Sequence, residues 1–185
     1  LGCSCIRRGG SIVIDAGEIK STQVPQEYVR SMRSSIILLG ALLGRMGQGS
    51  CCYPGGCLIG ARPIDLHLMA LKKLGAVISE EDGIIEACAG AGGRLKGTEI
   101  IFSYPSVGAT EQAVLAAVLA EGVTVIRGAA MEPEICQLCG FLNNMGAVIC
   151  GAGTKTLMIQ GVRSLKDSAF RVEGDRIVAG TYGAA

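Results

Sequence analysis

Leu68-Met69-Ala70-Leu71-Lys72-Lys73-Leu74-Gly75-Ala76-Val77-Ile78 joins an apolar helical pattern to a short apolar strand through one glycine. A glycine at such a junction can adopt the left-handed conformation that ends a helix. The same junction recurs around Gly2 and Gly146, which lie 73 and 71 residues from Gly75. Spacing this regular predicts an internal repeat. The three junctions are Leu1-Gly2-Cys3, Leu74-Gly75-Ala76 and Met145-Gly146-Ala147.

The middle copy of the repeat shows its order of helices and strands most fully. Apolar residues at steps of three and four from Val29 to Met46 predict one amphipathic helix. A second helix is expected from Pro63, with Ile64, Leu68 and Leu71 facing inward. Short strands with polar turns between them complete the unit. They are expected near Ser50–Tyr53, Val77–Ile78 and Gly83–Ala87, with Glu80, Glu81 and Asp82 as the turn of the hairpin.

The third copy repeats this order, and the first is truncated. Its predicted elements are a strand at 99–104, a helix at 110–121, a strand at 123–127, a helix at 133–145, and a hairpin of 147–150 with 156–160. Ile12–Asp15 corresponds to the second hairpin strand in the first copy. The pattern indicates an α/β (α+β) fold of βαβαββ units. Because each helix has one apolar stripe, we expect helices inside and sheets outside. The expected units, within one domain, are 1–28 (truncated), 29–105 and 106–180.

Composition excludes several classes of function. The 185 residues carry a formal net charge of +1, with 18% charged and 4% aromatic residues and no Trp. This composition offers neither the electrostatic field nor the stacking surfaces of a nucleic-acid-binding protein. The longest apolar stretch, Ile36–Leu43, is too short to span a membrane, and no signal peptide follows Arg7 and Arg8. We expect a soluble, cytoplasmic protein, and a start at Leu1 without methionine suggests a piece of a longer chain.

Nine cysteines raise the questions of disulfides and of zinc. Their odd number and irregular spacing argue against a disulfide framework. Cys136 and Cys139 form a CxxC pair inside an apolar helical pattern, and His67 is the single histidine. A structural zinc site needs four ligands, so we interpret both cysteines as small buried apolar residues and expect no metal.

A cysteine and an arginine lie close together in the segment Pro54-Gly55-Gly56-Cys57-Leu58-Ile59-Gly60-Ala61-Arg62-Pro63-Ile64. Small residues allow close approach to the backbone around Cys57, and a guanidinium can bind an anion and tune a nearby thiol. This pairing suggests chemistry on an anionic substrate. From these residues alone, a glycine-rich turn with an inert cysteine is the favoured alternative.

Matches in order along almost the whole chain change that balance. Besides Pro54–His67 they are Val29–Ile36, Gly93–Gly97, Pro105–Thr110, Leu119–Ile126, Glu132–Ile135 and Asp175–Ile177. In these segments the chain resembles the UDP-N-acetylglucosamine 1-carboxyvinyltransferases, the bacterial enolpyruvyl transferases of peptidoglycan synthesis. The resemblance implies an inside-out α/β barrel with two domains of three βαβαββ units each. It also implies that this chain is most of one domain. The family's N-terminal Lys-Asn pair and its second domain, with an Asp general base, have no counterpart here.

The resemblance implies transfer of the enolpyruvyl group of phosphoenolpyruvate to the 3-hydroxyl of UDP-N-acetylglucosamine, with release of phosphate and without a cofactor. This is the first committed step of peptidoglycan synthesis. Cys57 matches the proton donor, which also forms thioethers with phosphoenolpyruvate and fosfomycin. Because an Asp here is similar to fosfomycin-insensitive enzymes, Cys57 implies that the complete enzyme is sensitive.

The resemblance also assigns substrate contacts. Arg33 and Arg62 match arginines that hold phosphate and carboxylate oxygens, a task suited to the guanidinium fork. Pro63, Ile64, Asp65 and Leu66 match the segment that contacts uridine. Ser106, Val107 and Gly108 match the diphosphate contact before a helix, where backbone N–H groups favour anions. Tyr104, beside Pro105, stands where some relatives have Lys. We expect His67 to pack or hydrogen-bond, and no catalytic role for Glu132 or Glu134.

Two alternatives remain. The sister transferase acting on shikimate 3-phosphate shares the fold but lacks the cysteine segment. A non-catalytic lobe that binds nucleotide sugar weakly, or packs against a missing domain, is the expected state of these 185 residues by themselves.

Overall fold

The computed structural model describes residues 1–54 and 63–185. Nine strands and six α-helices lie within these ranges. The strands are β1 Ser4–Arg8, β2 Ser11–Asp15, β3 Gln48–Cys52, β4 Ala76–Glu81, β5 Ile84–Ala89, β6 Glu99–Ile101, β7 Val123–Arg127, β8 Val148–Cys150 and β9 Thr156–Gln160. The helices are α1 Gln26–Ser31, α2 Ile37–Met46, α3 Asp65–Lys73, α4 Val107–Ala117, α5 Pro133–Asn144 and α6 Arg176–Ala184, and a 3-10 turn spans Arg33–Ile36.

The four-stranded sheet contains one complete repeat unit. Along the chain its elements are β6, α4, β7, α5, β8 and β9, and in space the strand order is β6-β7-β9-β8. β6 runs parallel to β7, whereas β9 is antiparallel to both of its neighbours. The crossover through α4 lets two parallel strands pair, and the β8–β9 hairpin closes the unit. The predicted βαβαββ order is confirmed.

The three-stranded sheet repeats this plan with a shorter first strand. Its order is β3-β5-β4, with both pairings antiparallel. A parallel bridge joins Gln23 to Ser50 in β3, and the Val24 N–H donates to the Ser50 carbonyl at 2.8 Å. This bridge occupies the place that β6 has beside β7. The two units therefore share one topology.

Helices α2, α3 and α4 pack between the three-stranded and the four-stranded sheet, whereas α6 has no buried residue. α2 packs along α4, and α4 also contacts α3 and α5. Close approach is possible because α4 presents Ala109, Ala113 and Ala116, all fully buried, and α2 contributes Gly40 and Gly44. The expectation of helices inside and sheets outside is confirmed.

The three repeated glycines have nearly the same backbone conformation. Gly2, Gly75 and Gly146 have φ angles of +96°, +90° and +96°. This left-handed region is readily accessible only to glycine. Each glycine leads directly towards a hairpin, β1–β2, β4–β5 or β8–β9. The three junctions that the sequence predicts as a repeat therefore share one backbone conformation in the structure.

Several boundaries differ from the predictions. The helix expected from Val29 to Met46 is interrupted at Met32, whose backbone is extended with φ −126° and ψ 109°. The strand expected at 99–104 ends at Ile101, and the helix expected at 110–121 is α4, Val107–Ala117. α3 begins at Asp65, two residues after Pro63. β7 has the bounds that were predicted.

The first hairpin contains no buried residue. All ten residues of β1 and β2 are exposed, including the apolar side chains of Ile6, Ile12 and Ile14. Neighbouring bonds run from the Lys20 N–H to the Leu1 carbonyl at 2.9 Å, and from Arg45 Nη2 to the Ala16 carbonyl at 2.5 Å. Within residues 1–54 and 63–185, no helix has the length and apolarity needed to cross a bilayer.

Candidate functional site

Three element starts converge at one side of the helical core. The first is the 3-10 turn that begins at Arg33, the second is the start of α3 at Asp65, and the third is the start of α4 at Val107. Arg33 contacts Pro63, and Gly108 lies against His67. The structure therefore brings together three of the segments that the sequence singled out.

Arg33 is attached to the start of α3 by its guanidinium. Its Nη2 donates to the Pro63 carbonyl at 3.4 Å, and the side chain is half-buried. The turn that carries it is anchored by Ser35, whose hydroxyl donates to the Tyr28 carbonyl at 3.2 Å. This geometry differs from the solvated helix face that an isolated arginine usually occupies.

The uridine-matching segment 63–66 has alternating exposure. Pro63 and Asp65 are exposed, whereas Ile64 and Leu66 are 6% and 7% exposed. Asp65 lies in the first turn of α3, where its negative charge favours the helix dipole. Side-chain contacts from this segment to a ligand are therefore open to Pro63 and Asp65, while Ile64 and Leu66 secure the segment in the core.

The start of α4 is built to leave backbone N–H groups available. Ser106 is the N-cap, and its Oγ accepts from the Ala109 N–H at 3.4 Å. Thr110 Oγ1 donates to the Ser106 carbonyl at 2.8 Å and accepts from the Ala130 N–H at 3.1 Å, which fixes this turn to the loop before α5. The N–H groups of the first helical turn have no intrahelical partner. Together with the helix dipole they favour an anion.

Tyr104 and Pro105 precede this turn on the surface. Tyr104 is 49% exposed, and Pro105 is also exposed. Their positions next to the Ser106 cap allow either side chain to reach a molecule at the helix start. The tyrosine offers a neutral hydroxyl there instead of a cation.

His67 lies beneath this site as a buried hydrogen-bonding residue, as the sequence predicted. Its ring is 7% exposed, and its Nδ1 is hydrogen-bonded to Oε1 of Gln112 on α4. Burial lowers the pKa of His67, because the charged imidazolium would lose its hydration. A Cβ added at Gly108 would lie 3.1 Å from Cε1 and 3.2 Å from Nε2 of the ring. The imidazole therefore separates the starts of α3 and α4.

Gln112 is the partner that sequence reasoning missed. It lies 45 residues from His67, so no local spacing links the two. One signal was present: Gln112 is a large polar residue in the otherwise alanine-rich inner face of α4. Its amide is fully buried. A buried polar side chain in such a face has to find a partner in another element.

Cys57 and Arg62 lie outside the described residues. The residues that flank their segment are described: Tyr53 follows β3, and Pro63 precedes α3. The proposed pairing of a thiol with a guanidinium therefore stays a prediction. Arg33, Pro63, Ser106 and Gly108 supply the described part of the candidate site.

A groove of about 700 Å³ runs along the outer side of α3. Its lining includes Ile64, Leu68, Met69, Lys72 and Lys73. Across it, the Tyr53 hydroxyl donates to Glu80, which also pairs with Lys72 at 3.9 Å. The bond to the Glu80 carboxylate raises the pKa of Tyr53. This side-chain cluster ties the end of β3 to β4 and α3.

The eight cysteines within the described residues differ in exposure, from buried through partly buried to exposed. Burial raises the pKa of Cys51 to about 12 and that of Cys139 to about 11, so both stay protonated at neutral pH. Cys139 is buried as predicted, whereas its CxxC partner Cys136 is only partly buried. The exposed thiols are those of Cys3, Cys5, Cys88 and Cys150. Within the described ranges, no group of three or more Cys, His, Asp or Glu is arranged to hold a metal ion.

Comparison with known proteins gives one family. The family model described as EPSP synthase (3-phosphoshikimate 1-carboxyvinyltransferase) matches residues 1–185. UDP-N-acetylglucosamine 1-carboxyvinyltransferase 2 of Caldanaerobacter subterraneus subsp. tengcongensis is 53% identical over 182 residues, covering 98% of this chain and 43% of that protein. UDP-N-acetylglucosamine 1-carboxyvinyltransferase of Chlorobium luteolum is 52% identical, covering 100% of this chain and 43% of that protein. The chain spans less than half the length of these curated relatives.

Solved structures share the fold at lower identity. The enolpyruvyl transferase NikO from Streptomyces tendae matches with a TM-score of 0.70 and 23% identity, over 87% of this chain and 38% of that protein. EPSP synthase from Acinetobacter baumannii matches with a TM-score of 0.65 and 20% identity, over 89% of this chain and 37% of that protein. The inside-out arrangement of βαβαββ units is therefore the fold of known transferases.

Proposed function

The chain belongs to the EPSP synthase (3-phosphoshikimate 1-carboxyvinyltransferase) family, and from this membership we propose that it is most of one domain of a UDP-N-acetylglucosamine 1-carboxyvinyltransferase. The observation that carries the choice of substrate is 52–53% identity, over 98–100% of the chain, to relatives of that name. The convergence of Arg33, Pro63 and Gly108 at one place supports it. The repeat boundaries at 28–29 and 105–106, and a second domain elsewhere in the protein, are parts of this proposal.

The proposed reaction joins two substrates by addition and elimination. The 3-hydroxyl of UDP-N-acetylglucosamine attacks C2 of phosphoenolpyruvate while C3 accepts a proton. The resulting tetrahedral adduct loses inorganic phosphate and one proton from C3, which restores the double bond. An acid and a base must therefore flank the same substrate.

Each group of this chain has a proposed role in that reaction. Cys57 delivers the proton to C3, and Arg33 and Arg62 hold the phosphate and carboxylate oxygens of phosphoenolpyruvate. Segment 63–66 contacts the uridine. The N–H groups at Ser106–Gly108 bind the diphosphate with Tyr104 and Pro105 alongside, and no cofactor takes part. The general base comes from the second domain.

The share of the relatives that the chain spans favours a second candidate. Because the chain covers 43% of those proteins, its 185 residues alone act as a lobe that binds nucleotide sugar without turnover. We place the complete protein in the bacterial cytoplasm, where both substrates are available. The sister activity on shikimate 3-phosphate is the weaker choice, because that enzyme lacks the cysteine segment.

Phosphate release, measured for the 185 residues and for a longer protein, tests the proposal. Phosphate release with both substrates should be absent for the 185 residues and present for a protein that extends them to the relatives' full length. Turnover by the 185 residues alone would refute the need for a second domain. Turnover of shikimate 3-phosphate by the longer protein would replace the proposed substrate.

Labelling by fosfomycin tests the proton donor. With UDP-N-acetylglucosamine present, mass spectrometry of the longer protein should place one adduct on Cys57. Cys57→Ser is the matched control and should remain unlabelled. An adduct on Cys51 or Cys52 would move the reactive segment; the raised pKa of the Cys51 thiol argues against that outcome.

A further inference from the structure

Gln112 is a buried amide that uses only part of its hydrogen-bonding capacity within the described part of the chain. It is fully buried in α4, and its Oε1 is bonded to Nδ1 of His67. Its Nε2, which can donate twice, has no acceptor within residues 1–54 and 63–185. An apolar residue would avoid leaving a buried donor unpaired. Among the described residues, the bond to His67 is therefore the contact that accounts for a glutamine here.

The bond to Gln112 decides which nitrogen of His67 carries the proton. An Oε1 acceptor requires Nδ1–H, so the neutral ring keeps its lone pair on Nε2. That nitrogen faces Gly108 in the first turn of α4, where the helix dipole is positive. A lone pair is favoured there and a proton is not.

The charged groups acting on His67 come from two elements. Arg33 in the 3-10 turn lowers its pKa, and Asp65 on α3 raises it. Both residues belong to the candidate site. The His67 ring therefore contacts the start of α4, and its pKa is affected by the charges of Arg33 and Asp65.

We propose that Gln112 is a positioning residue for nucleotide-sugar binding: through its bond to His67 it holds the start of α3, 63–66, in register with the start of α4, 106–108. This role rests on the proposed function, because those two segments are the proposed uridine and diphosphate contacts. Gln112, which is fully buried, is not itself one of the proposed contacts to the uridine or the diphosphate. A diphosphate sugar spanning both segments binds well only when their separation is fixed in advance.

The tautomer of His67 provides a test that needs no ligand. His67 is the single histidine of the chain, so its two ring nitrogens can be assigned without ambiguity in long-range ¹H–¹⁵N spectra. We expect the Nδ1–H tautomer in the wild-type chain and a mixture of tautomers in Gln112→Leu. A wild-type ring that is mainly Nε2–H would overturn the proposal.

Gln112→Leu should weaken binding of the nucleotide sugar when affinity is measured at a temperature at which the variant is fully folded. Gln112→Leu removes an Nε2 that has no acceptor among the described residues, but it also leaves the buried His67 Nδ1 without its partner, so the unfolding midpoint should be unchanged or lowered. The dissociation constant for UDP-N-acetylglucosamine should increase about three- to tenfold, as expected for the loss of one buried hydrogen bond. Gln112→Glu keeps an acceptor for Nδ1–H, so it should recover part of the affinity and raise the pKa of His67.

Thr124→Val is the matched control. Thr124 Oγ1 is also buried without a partner among the described residues, but it lies on β7. Because this substitution breaks no hydrogen bond among the described residues, the variant should keep the wild-type affinity, with an unfolding midpoint that is unchanged or raised.

The outcomes separate this inference from the function on which it rests. Binding that is equal in wild type and Gln112→Leu would overturn the role of Gln112 and leave the function intact. A loss of affinity in Gln112→Leu that a folded Gln112→Glu does not partly recover would reduce Gln112 to a structural residue and would also overturn the proposal. A wild-type chain that binds no UDP-N-acetylglucosamine would reject nucleotide binding by this lobe, and the positioning role with it.

Discussion

Gly40 of α2 lies directly against the backbone carbonyl of Gln112 in α4. A Cβ added at Gly40 would be 2.6 Å from that oxygen and 2.8 Å from the Gln112 Cγ. No methyl group fits at these distances without a shift of the backbone. The helix that carries Gln112 therefore packs closely on α2 because Gly40 has no side chain.

Gly40→Ala should destabilise the protein although alanine favours helices. The overpacked contact should cost about 1–3 kcal/mol, more than the gain of up to about 1 kcal/mol in helix propensity. Chemical denaturation of the 185-residue chain measures the difference.

Gly140→Ala in α5 is the matched control for that substitution. A Cβ there would lie 4.0 Å from Phe170 Cε2, which is an ordinary contact. This variant should gain about 0.5–1 kcal/mol. Equal effects at Gly40 and Gly140 would show that helix packing does not decide the outcome.

The pH dependence of stability should report the buried His67. Its pKa in the folded state lies below the ordinary 6.5, so the unfolded state takes up the proton first as the pH falls. Stability should therefore be lost from about pH 6.5 down to the folded pKa, with a slope of at most about 1.4 kcal/mol per pH unit. Denaturation series at several pH values measure the slope.

His67→Gln isolates this contribution because glutamine does not titrate. Burial raises the pKa of Glu111, which gives the opposite sign at lower pH, so the comparison is the difference between wild type and variant. A difference that stays constant between pH 5 and 7 would contradict a depressed pKa.

Ser106 should separate capping from anion binding. Ser106→Ala removes the cap of α4 and should cost about 1 kcal/mol of stability. Ser106→Asp keeps a capping oxygen but places a negative charge where the diphosphate is proposed. Its stability should match the wild type, while its affinity for UDP should fall at least about fivefold, corresponding to about 1 kcal/mol of repulsion. Unchanged UDP affinity in Ser106→Asp would exclude an anion at this helix start.

Replacing Gly75, one of the repeated glycines, with alanine should lower stability only because its backbone has a positive φ. No atom of the described residues lies within 4 Å of a Cβ added at Gly75, so Gly75→Ala should meet only the cost of a left-handed backbone, about 1–2 kcal/mol. Gly10→Ala, which also meets no atom within 4 Å and has no positive φ, should be neutral within about 0.5 kcal/mol. A tolerated Gly75→Ala would show that this φ is not required.

The helices and strands that the sequence predicted best have both a regular spacing of apolar residues and a residue, such as glycine or proline, that marks an end. β7 has its predicted bounds, and α5 ends one residue before its expected end at Met145. The break at Met32 had no such signal, because neither Pro nor Gly lies there. The structure shows the cause of this break. The Ser31 and Ser35 hydroxyls both donate to the Tyr28 carbonyl, and side-chain bonds of this kind compete with a continuous helix.

The candidate site was predictable where local chemistry defines it. The sequence placed Ser106, Val107 and Gly108 just before an alanine-rich helix expected from Thr110, whereas the structure begins that helix at Val107, with Ser106 as its N-cap. The pairing of His67 with Gln112 was not predictable, because it depends on how α3 packs on α4. Contacts between distant elements follow from the fold as a whole.

The exposed β1–β2 hairpin has a consequence for local opening. Its backbone bonds are covered by few side chains, so they can break without disturbing the alanine-lined helices. Deuterium should therefore replace the amide hydrogens of Ile6 and Val13 long before those of Val114 and Ile126. The protein would then unfold in at least two steps, with this ribbon opening before the helical core.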